Sequence, residues 1–324
     1  MNLSTLSAND FEEIFSQIIS GKINEESIAE FLINLNKENL PQNAFLGAIT
    51  ALKKQMKTIK APKNSIDLCG TGGDKLTTLN ISTATCFVVA ASGISVAKHG
   101  NKAISSKSGS ADIFSELGIR ISSNEAEIEK NLNEKNLAFL FAPFFHEALK
   151  TVAKVRKELA VPTIFNFLGP LLNPANTNLQ LIGTSKRDTM IKMAKVIAQN
   201  KENKAYIVHG FDGMDEITLT NNSYLIAVAD GKIFEEEIIN PENFGLKKVN
   251  LDKLKGGDVA YNAQELINLL NGKENAYREI VALNAAFALK LANKINDIEA
   301  GIIIAKEIID SGKAMQILRN LQQN

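Results

Sequence analysis

The 324-residue chain is 45% hydrophobic and 22% charged, with a formal net charge of zero. This length supports a well-buried core in one large or two smaller domains, and the charge balance argues against a broad nucleic-acid footprint while leaving room for a local basic site. Cys69 and Cys86 lack metal-type spacing and fit a reducing cytoplasm, the acid-bearing start argues against a signal peptide, and the longest apolar stretch, around Cys86–Ala91, is too short to span a membrane.

Up to about residue 60 the pattern is helical only. Asp10 caps a predicted helix through Ser20, with Phe11, Ile14, Phe15, Ile18 and Ile19 on one face and Gly21 as its stop. Glu25–Leu35 and Ala44–Gln55 repeat that spacing. At Pro62 the pattern changes. Ser65–Cys69 reads as a short apolar strand, Ile81–Ser92 as an Ala-rich helix stopped by Gly93, Ile94–Lys98 as a strand, and Ala111–Leu117 as a helix ended by Gly118. Leu137–Ala142, Leu179–Thr184 and Ala205–His209 are predicted strands, with helices over Glu147–Leu159 and Arg187–Gln199. Such alternation predicts an α/β class fold with a mainly parallel central sheet flanked by helices. Ile217–Leu219, Tyr224–Val228 and Lys232–Glu235, separated by Asn221-Asn222 and Asp230-Gly231, predict antiparallel hairpins, and the chain is helical again from Asn262. The expected division is a small helical domain over residues 1–63, joined in space by helices from about 160–195, and an α/β domain over residues 64–324.

The segment Asp67-Leu-Cys-Gly70-Thr71-Gly72-Gly73-Asp74 lies between a strand and a helix. Its glycines permit positive φ and close backbone approach, and the unsatisfied N–H groups at the following helix start favour an anion. Alone, it reads equally as a phosphate cradle or as a tight strand–helix turn. It matches neither the Walker A loop nor the dinucleotide fingerprint. After the next strand, Lys98 to Ser110 carry three lysines, one histidine and four serines in thirteen residues. In a parallel sheet both loops emerge at the carboxyl ends of their strands, the edge where such folds bind ligands.

Gly70-Thr-Gly-Gly-Asp74, Asn80-Ile-Ser-Thr83, Lys98-His-Gly-Asn101 and Ser108-Gly-Ser-Ala-Asp112 resemble the anthranilate phosphoribosyltransferase family in order and spacing. Asn166-Phe-Leu-Gly-Pro-Leu-Leu-Asn-Pro174 and His209-Gly-Phe-Asp-Gly-Met-Asp-Glu216 continue the match. The resemblance implies transfer of a phosphoribosyl group from 5-phosphoribosyl 1-diphosphate to anthranilate, with release of pyrophosphate. It implies that Gly70, Gly73, Asp74, Thr78, Asn80, Ile81, Ser82 and Thr83, with Lys98, His99, Gly100, Asn101, Lys102, Ala103, Ile104, Ser105, Ser106 and Ser110, bind the diphosphate substrate. It gives anthranilate to Gly70, Asn101 and Arg156, with His99, His146 and Pro170 nearby, and two Mg²⁺ ions to Ser82, Asp215 and Glu216. It also implies a homodimer formed through the helical domain. The chain departs from the family pattern at Lys102 (usually Arg), Ser106 (commonly Gly) and His146-Glu147-Ala148-Leu149 (His-Pro-Ala-Met).

Elementary chemistry agrees with this assignment. Mg²⁺ prefers hard oxygen ligands and keeps waters, which suits an adjacent Asp-Glu pair and a hydroxyl. The guanidinium fork of Arg156 matches a carboxylate. Outside the family match, Asp215-Glu216 reads as a solvated acidic turn and Arg156 as a surface helix residue. An aromatic amine is already a free-base nucleophile at neutral pH, so no general base is assigned. Two other readings are a pyrimidine nucleoside phosphorylase-like enzyme, which uses free phosphate on a longer chain, and a nucleic-acid-binding relative without transferase activity. The length, Arg156 and the acidic pair disfavour the first; neutral charge and intact motifs disfavour the second.

Overall fold

In this computed structural model, residues 3–37, 39–103 and 107–323 are described. Three helices come first: α1 (Ala8–Ile19), α2 (Glu25–Lys37) and α3 (Gln42–Gln55). Then follow β1 (Ile66–Gly70), α4 (Ile81–Ala91), β2 (Val96–Gly100), α5 (Ser110–Glu116), α6 (Glu125–Glu134), β3 (Leu137–Phe141), α7 (Ala142–Phe145), α8 (Lys150–Leu159), α9 (Phe165–Leu168), β4 (Leu179–Gly183), α10 (Arg187–Ile197) and β5 (Lys204–Gly210). The chain continues through β6 (Ser223–Ala229), β7 (Lys232–Ile233) and β8 (Glu237–Ile239), and closes with α11 (Val259–Leu270), α12 (Ala276–Leu291), α13 (Ile298–Asp310) and α14 (Lys313–Gln322).

The strands form one sheet in the order β3-β2-β1-β4-β5-β6-β7, with β8 also on β6. The first five strands run parallel, and β6 turns antiparallel onto β5. The mainly parallel α/β expectation is met. The strand order reverses between β1 and β4, which leaves a crevice beyond their carboxyl ends.

Alternate side chains of each strand serve opposite faces. Leu181, Val208 and Leu225 join a core with α4 and α11–α14, while their neighbours Ile182, Ile207 and Ile226 join a core with α1–α3 and α8–α10. Phe15, fully buried in the second core, meets the rings of Phe31 and Phe165 edge-on. A side chain of that size contributes roughly 1.5–3 kcal/mol by burial. The helix α4 is apolar nearly all round because it lies between the sheet and α12.

Several boundaries differ from the sequence expectation. Ser7, not Asp10, caps α1. The Ser7 hydroxyl accepts from the Asp10 N–H at 3.2 Å and the Asp10 carboxylate accepts from the Ser7 N–H at 2.9 Å, so Asp10 is the third helical residue of a capping box. Glu147–Leu149 is a separate 3₁₀ turn, and the helix begins at Lys150. Ile217–Leu219 is no strand: Ile217 and Leu219 face the core while Thr218 bonds Asp212, an alternation that mimics a strand without ladder partners. The predicted strand Lys232–Glu235 ends at Ile233, and β8 adds a strand where the sequence pattern shows none. The same is true of α6, whose highly charged sequence buries only Ile128 and Leu132. Among the described residues, no helix is long and apolar enough to cross a membrane.

Candidate active site at the carboxyl edge of the sheet

Gly70 and Gly183 are register partners at the carboxyl ends of β1 and β4. The chain bearing Asp215 crosses directly over both. A Cβ on Gly70 would lie 2.1 Å from Asp215 Oδ2, and one on Gly183 would lie 1.6 Å from the Asp215 carbonyl oxygen. The Gly72 N–H, in a residue with φ of 66°, donates to Asp215 Oδ2 at 2.7 Å. The glycine loop is thus closed onto an acidic residue from a distant part of the chain. Thr71 N–H donates to the Gly183 carbonyl at 2.9 Å, which ties the loop to the end of β4.

Glu216 sits at the amino end of α4. It accepts from the Ser82 N–H at 3.0 Å and from the Ser82 hydroxyl. A carboxylate is favoured there by the helix dipole, but burial pushes Glu216 up to about 8, with Asp215 beside it adding to the effect. Asp74 is pushed up to about 7, first by burial and then by Asp215, and Asp215 is itself raised by burial. Some surface of Asp215 and Glu216 remains open, but protein surrounds them on most sides, so desolvation dominates. Lys98 is 4% exposed on β2. Burial opposes its charge, yet Cys86, Cys69, Asp67 and Glu216 outweigh that and raise its pKa. Three carboxyl groups with shifted pKa values and one buried lysine therefore meet at the switch point. Among the described residues, no three His, Cys, Asp or Glu side chains converge to hold a metal unaided.

The second loop is held by a polar network. Gly100 allows Ser110 to approach, since a Cβ there would meet Ser110 Oγ at 2.1 Å. Asp112 accepts from the N–H groups of Ala103 and Gly109 at 3.0 and 2.9 Å, and the Asn101 carbonyl accepts from Ala111 N–H at 3.2 Å. Lys102 is exposed, and Lys102 N–H donates to Asn101 Oδ1 at 2.8 Å. Ile104, Ser105 and Ser106 lie outside the described residues. Thr78 pairs with Lys255 in a short bridge, Ile81 and Thr83 are buried in α4, and Gly73 takes a positive φ of 81°.

The residues expected near an acceptor occupy a neighbouring region. The His99 and His146 rings are 5.2 Å apart by centroid and both are buried. His99 Nδ1 lies 3.1 Å from the Gly169 carbonyl, which can only accept, so the proton is on Nδ1 and buried Nε2 is left as an acceptor. Burial brings His99 down to about 3 and His146 to about 4, so both rings are neutral at pH 7. Pro170 follows Gly169, and its carbonyl accepts from Gln180 Nε2 at 2.6 Å. Arg156 leaves α8 half-buried, its guanidinium 5.5 Å from the centre of the Phe165 ring. Burial lowers its pKa, and no carboxylate pairs with it among the described residues.

Several contributors had no sequence assignment. Gly183 makes the close approach to Asp215. Asp212 accepts from Thr218 at 2.6 Å, from Thr220, and from Met214 N–H at 3.0 Å, which shapes the turn before Asp215. Asn284 of α12 brackets Ile217, accepting from its N–H at 3.1 Å and donating to its carbonyl at 2.9 Å. Asn262 bonds both Asn80 and Ser108. The pair Gly256-Gly257 was the available signal for this last contact, because two glycines before a helix cap mark close backbone approach. A cleft of about 510 Å³ opens between Asn36, Asn39, Leu40, Val161 and Pro162 on one wall and Ser185–Thr189 with His209 on the other. It adjoins the glycine loop through Ser185, whose N–H donates to Thr71 Oγ1 at 3.2 Å.

Comparison with known proteins agrees with this geometry. The glycosyl transferase family, a/b domain, matches residues 62–315. Anthranilate phosphoribosyltransferase of Petrotoga mobilis is 41% identical over 98% of this chain and 92% of its own length; that of Clostridium beijerinckii is 42% identical over 95% and 91%. The crystal structure of anthranilate phosphoribosyltransferase from Thermus thermophilus superposes with a TM-score of 0.91 at 31% identity, over 98% of this chain and 95% of that one. The Saccharomyces cerevisiae enzyme in complex with PRPP and Mg superposes at 0.90 with 29% identity, over 98% and 93%.

Proposed function

The chain belongs to the anthranilate phosphoribosyltransferase family and has that family's activity, a glycosyl transfer in tryptophan biosynthesis, and from this premise we propose how its residues divide the work. The diphosphate substrate lies along the glycine loop and the start of α4, against Gly70, Gly73, Asp74, Thr78 and Asn80 to Thr83. Lys98 to Lys102, with Ser110, contact the remaining phosphate and ribose. The observation that carries the assignment is the closure of Asp215 and Glu216 over Gly70, Gly183 and Ser82 at the strand-order switch point.

Mg²⁺ fits this donor set. Buried carboxyl groups with one buried lysine nearby carry a desolvation cost that a dication would offset. Among the described residues no three such ligands converge into a closed cage, which suits an ion that takes one or two carboxylates and completes its shell with phosphate oxygens and water. Ser82, Asp215 and Glu216 would hold two such ions. Bound there, magnesium supplies positive charge at the diphosphate oxygens as the bond from C1 of the ribose opens.

Anthranilate lies beyond Gly70 and Asn101. The half-buried Arg156, with no carboxylate partner among the described residues, takes its carboxylate, and the neutral His99 and His146 rings with Pro170 line the approach. The amine nitrogen bonds to C1, pyrophosphate departs with the C1–O electron pair, and the amine loses one proton to solvent. Both imidazoles titrate far below neutrality and carry only their single neutral-form proton at pH 7. Rate enhancement then comes from position and electrostatics. We further propose the division into residues 1–63 with about 160–195, and residues 64–324, a homodimer through the helical part, and a cytoplasmic setting. The packing of α1–α3 against α8–α10 supports grouping those helices, in a core that also takes in one face of β4–β6. The test is anthranilate fluorescence in the presence of phosphoribosyl diphosphate and Mg²⁺: the signal is expected to fall with stoichiometric pyrophosphate release, and no consumption of anthranilate overturns the reading.

A further inference from the structure

Asn262 stands at the start of α11, 182 residues from Asn80 and 154 from Ser108 in the chain. It is 2% exposed and every polar atom of its side chain is engaged. Nδ2 donates to Asn80 Oδ1 at 3.0 Å and to Ser108 Oγ at 2.7 Å, and Oδ1 accepts from the Gly257 N–H at 2.8 Å. Asn80 and Ser108 also bond each other: Ser108 Oγ donates to Asn80 Oδ1 at 3.0 Å, and Asn80 Nδ2 donates to the Ser108 carbonyl at 3.3 Å. The Tyr277 hydroxyl donates to the Asn80 carbonyl at 3.0 Å.

An asparagine at the position of Asn80 ordinarily accepts from the second or third N–H of its own helix. Asn80 makes no such bond, because its side chain is turned toward Ser108 and Asn262. Of the first-turn donors of α4, the Ile81 N–H goes to the Leu79 carbonyl and the Ser82 N–H to Glu216. The Thr83 N–H, which a capping Asn80 would claim, is thereby kept clear of it. Ser108, at the same time, fixes the stretch leading into α5 against α4. The segment ahead of Asn262 is anchored independently: Gly256 N–H donates to the Thr77 carbonyl at 2.8 Å, and Leu79 N–H to the Leu254 carbonyl at 2.9 Å. Loss of the Asn262 donors would leave that strap attached while Asn80 keeps only its two bonds to Ser108, themselves no longer tied to α11.

We infer that Asn262 is a positioning residue for the diphosphate substrate: it withdraws Asn80 from its capping role and locks the start of α4 to Ser108, so that the phosphate-facing donors of both loops keep one geometry. This rests on the substrate placement proposed above. Without Asn262, the bonds to Ser108 alone oppose the return of Asn80 to its capping position, where it competes with phosphate for the helix-start donors.

The test uses Asn262→Asp, which keeps the shape and the bond from Gly257 but removes both donated bonds, and Asn262→Ala, which adds no charge. A third variant, Leu266→Ala, removes a fully buried side chain from the same helix without touching the network. KM for phosphoribosyl diphosphate is expected to rise about tenfold or more in both Asn262 variants, with kcat changed less than about threefold and anthranilate KM unchanged. Calorimetric affinity for pyrophosphate with Mg²⁺ should weaken in parallel. Leu266→Ala should lower Tm while leaving that KM near wild type. An unchanged KM in the Asn262 variants, an equal rise in Leu266→Ala, or failure of both Asn262 variants to fold overturns the proposal. A wild-type protein that consumes no anthranilate sinks the placement of function instead, and pyrophosphate affinity still reads the role of Asn262.

Discussion

Gly183→Ala puts the contact beneath the acidic pair to a direct test. Gly183 lies in β4 without a positive φ, so its backbone conformation suits any residue and the constraint is space alone. The added methyl carbon would stand 1.6 Å from the Asp215 carbonyl oxygen and 2.3 Å from its carbonyl carbon. Restoring an ordinary contact of about 3.5 Å requires the Asp215 backbone to retreat by about 2 Å. It is tethered on both sides, by the bond from Gly72 N–H to its carboxylate and by the Asn284 bracket on Ile217. Forced overpacking of this kind costs about 1–3 kcal/mol, a Tm loss of several degrees. A site carboxylate displaced that far should lower kcat/KM by about 100-fold or more. Gly70→Ala meets mainly the Asp215 carboxylate, at 2.1 Å from Oδ2 and 2.7 Å from Cγ, with the backbone oxygen at 3.2 Å, so it should cost less stability for a similar loss of activity. The assay is steady-state anthranilate fluorescence at several Mg²⁺ concentrations, beside a thermal melt. A Gly183→Ala enzyme with kcat/KM within threefold of wild type and an unchanged Mg²⁺ requirement would refute the reasoning.

Arg156→Ala should raise the KM of anthranilate far more than that of the diphosphate; equal effects on both would remove the carboxylate-binding role. His146 predicts acid sensitivity. Its folded pKa of about 4 lies below the usual value of 6.5, so its contribution is complete above pH 6.5 and is lost as pH falls through the folded pKa. Between pH 6.5 and 5 that amounts to about 2 kcal/mol. The raised carboxyls of Asp74 and Glu216 act in the opposite direction, so the measurement is the difference in urea-unfolding stability between wild type and His146→Asn across that range. Parallel pH curves for the two proteins would contradict the burial argument.

What can be read in the sequence is local. The glycine loop, the start of α4 and the Lys98–Asn101 stretch are each specified by neighbours within a few residues, and the strands carrying them appear where the apolar runs predict. Gly183 gives no such signal because its requirement arises across strands, from its register with Gly70 and from a chain that returns at Asp215. Asn262 and Asn284 look like ordinary polar residues on helices, and the partners that matter here, Asn80, Ser108 and Ile217, are 67 or more residues away. Ile217–Leu219 reads as a strand because its alternation is genuine; burial on one side and the Asp212 hydroxyl cage on the other produce the same period as a sheet. Helix α6 is hard to see because two buried side chains give a faint apolar stripe.

The placement of Asn262, Tyr277 and Asn284 also fixes when the site comes into being as the chain is made. The glycine loop and the Lys98–Asn101 stretch emerge early from the ribosome, but the groups that hold them are encoded in the last fifth of the sequence. Until α11 and α12 arrive, α4 lacks the helix that covers its apolar outer side, Asn80 has only Ser108 to draw it from its own helix, and Ile217 has no bracket. Long-range closure of this kind is slow, because loop entropy is spent before the rewarding contacts form. A nascent chain stopped short of about residue 284 would carry every motif that marks the family and no working arrangement of them.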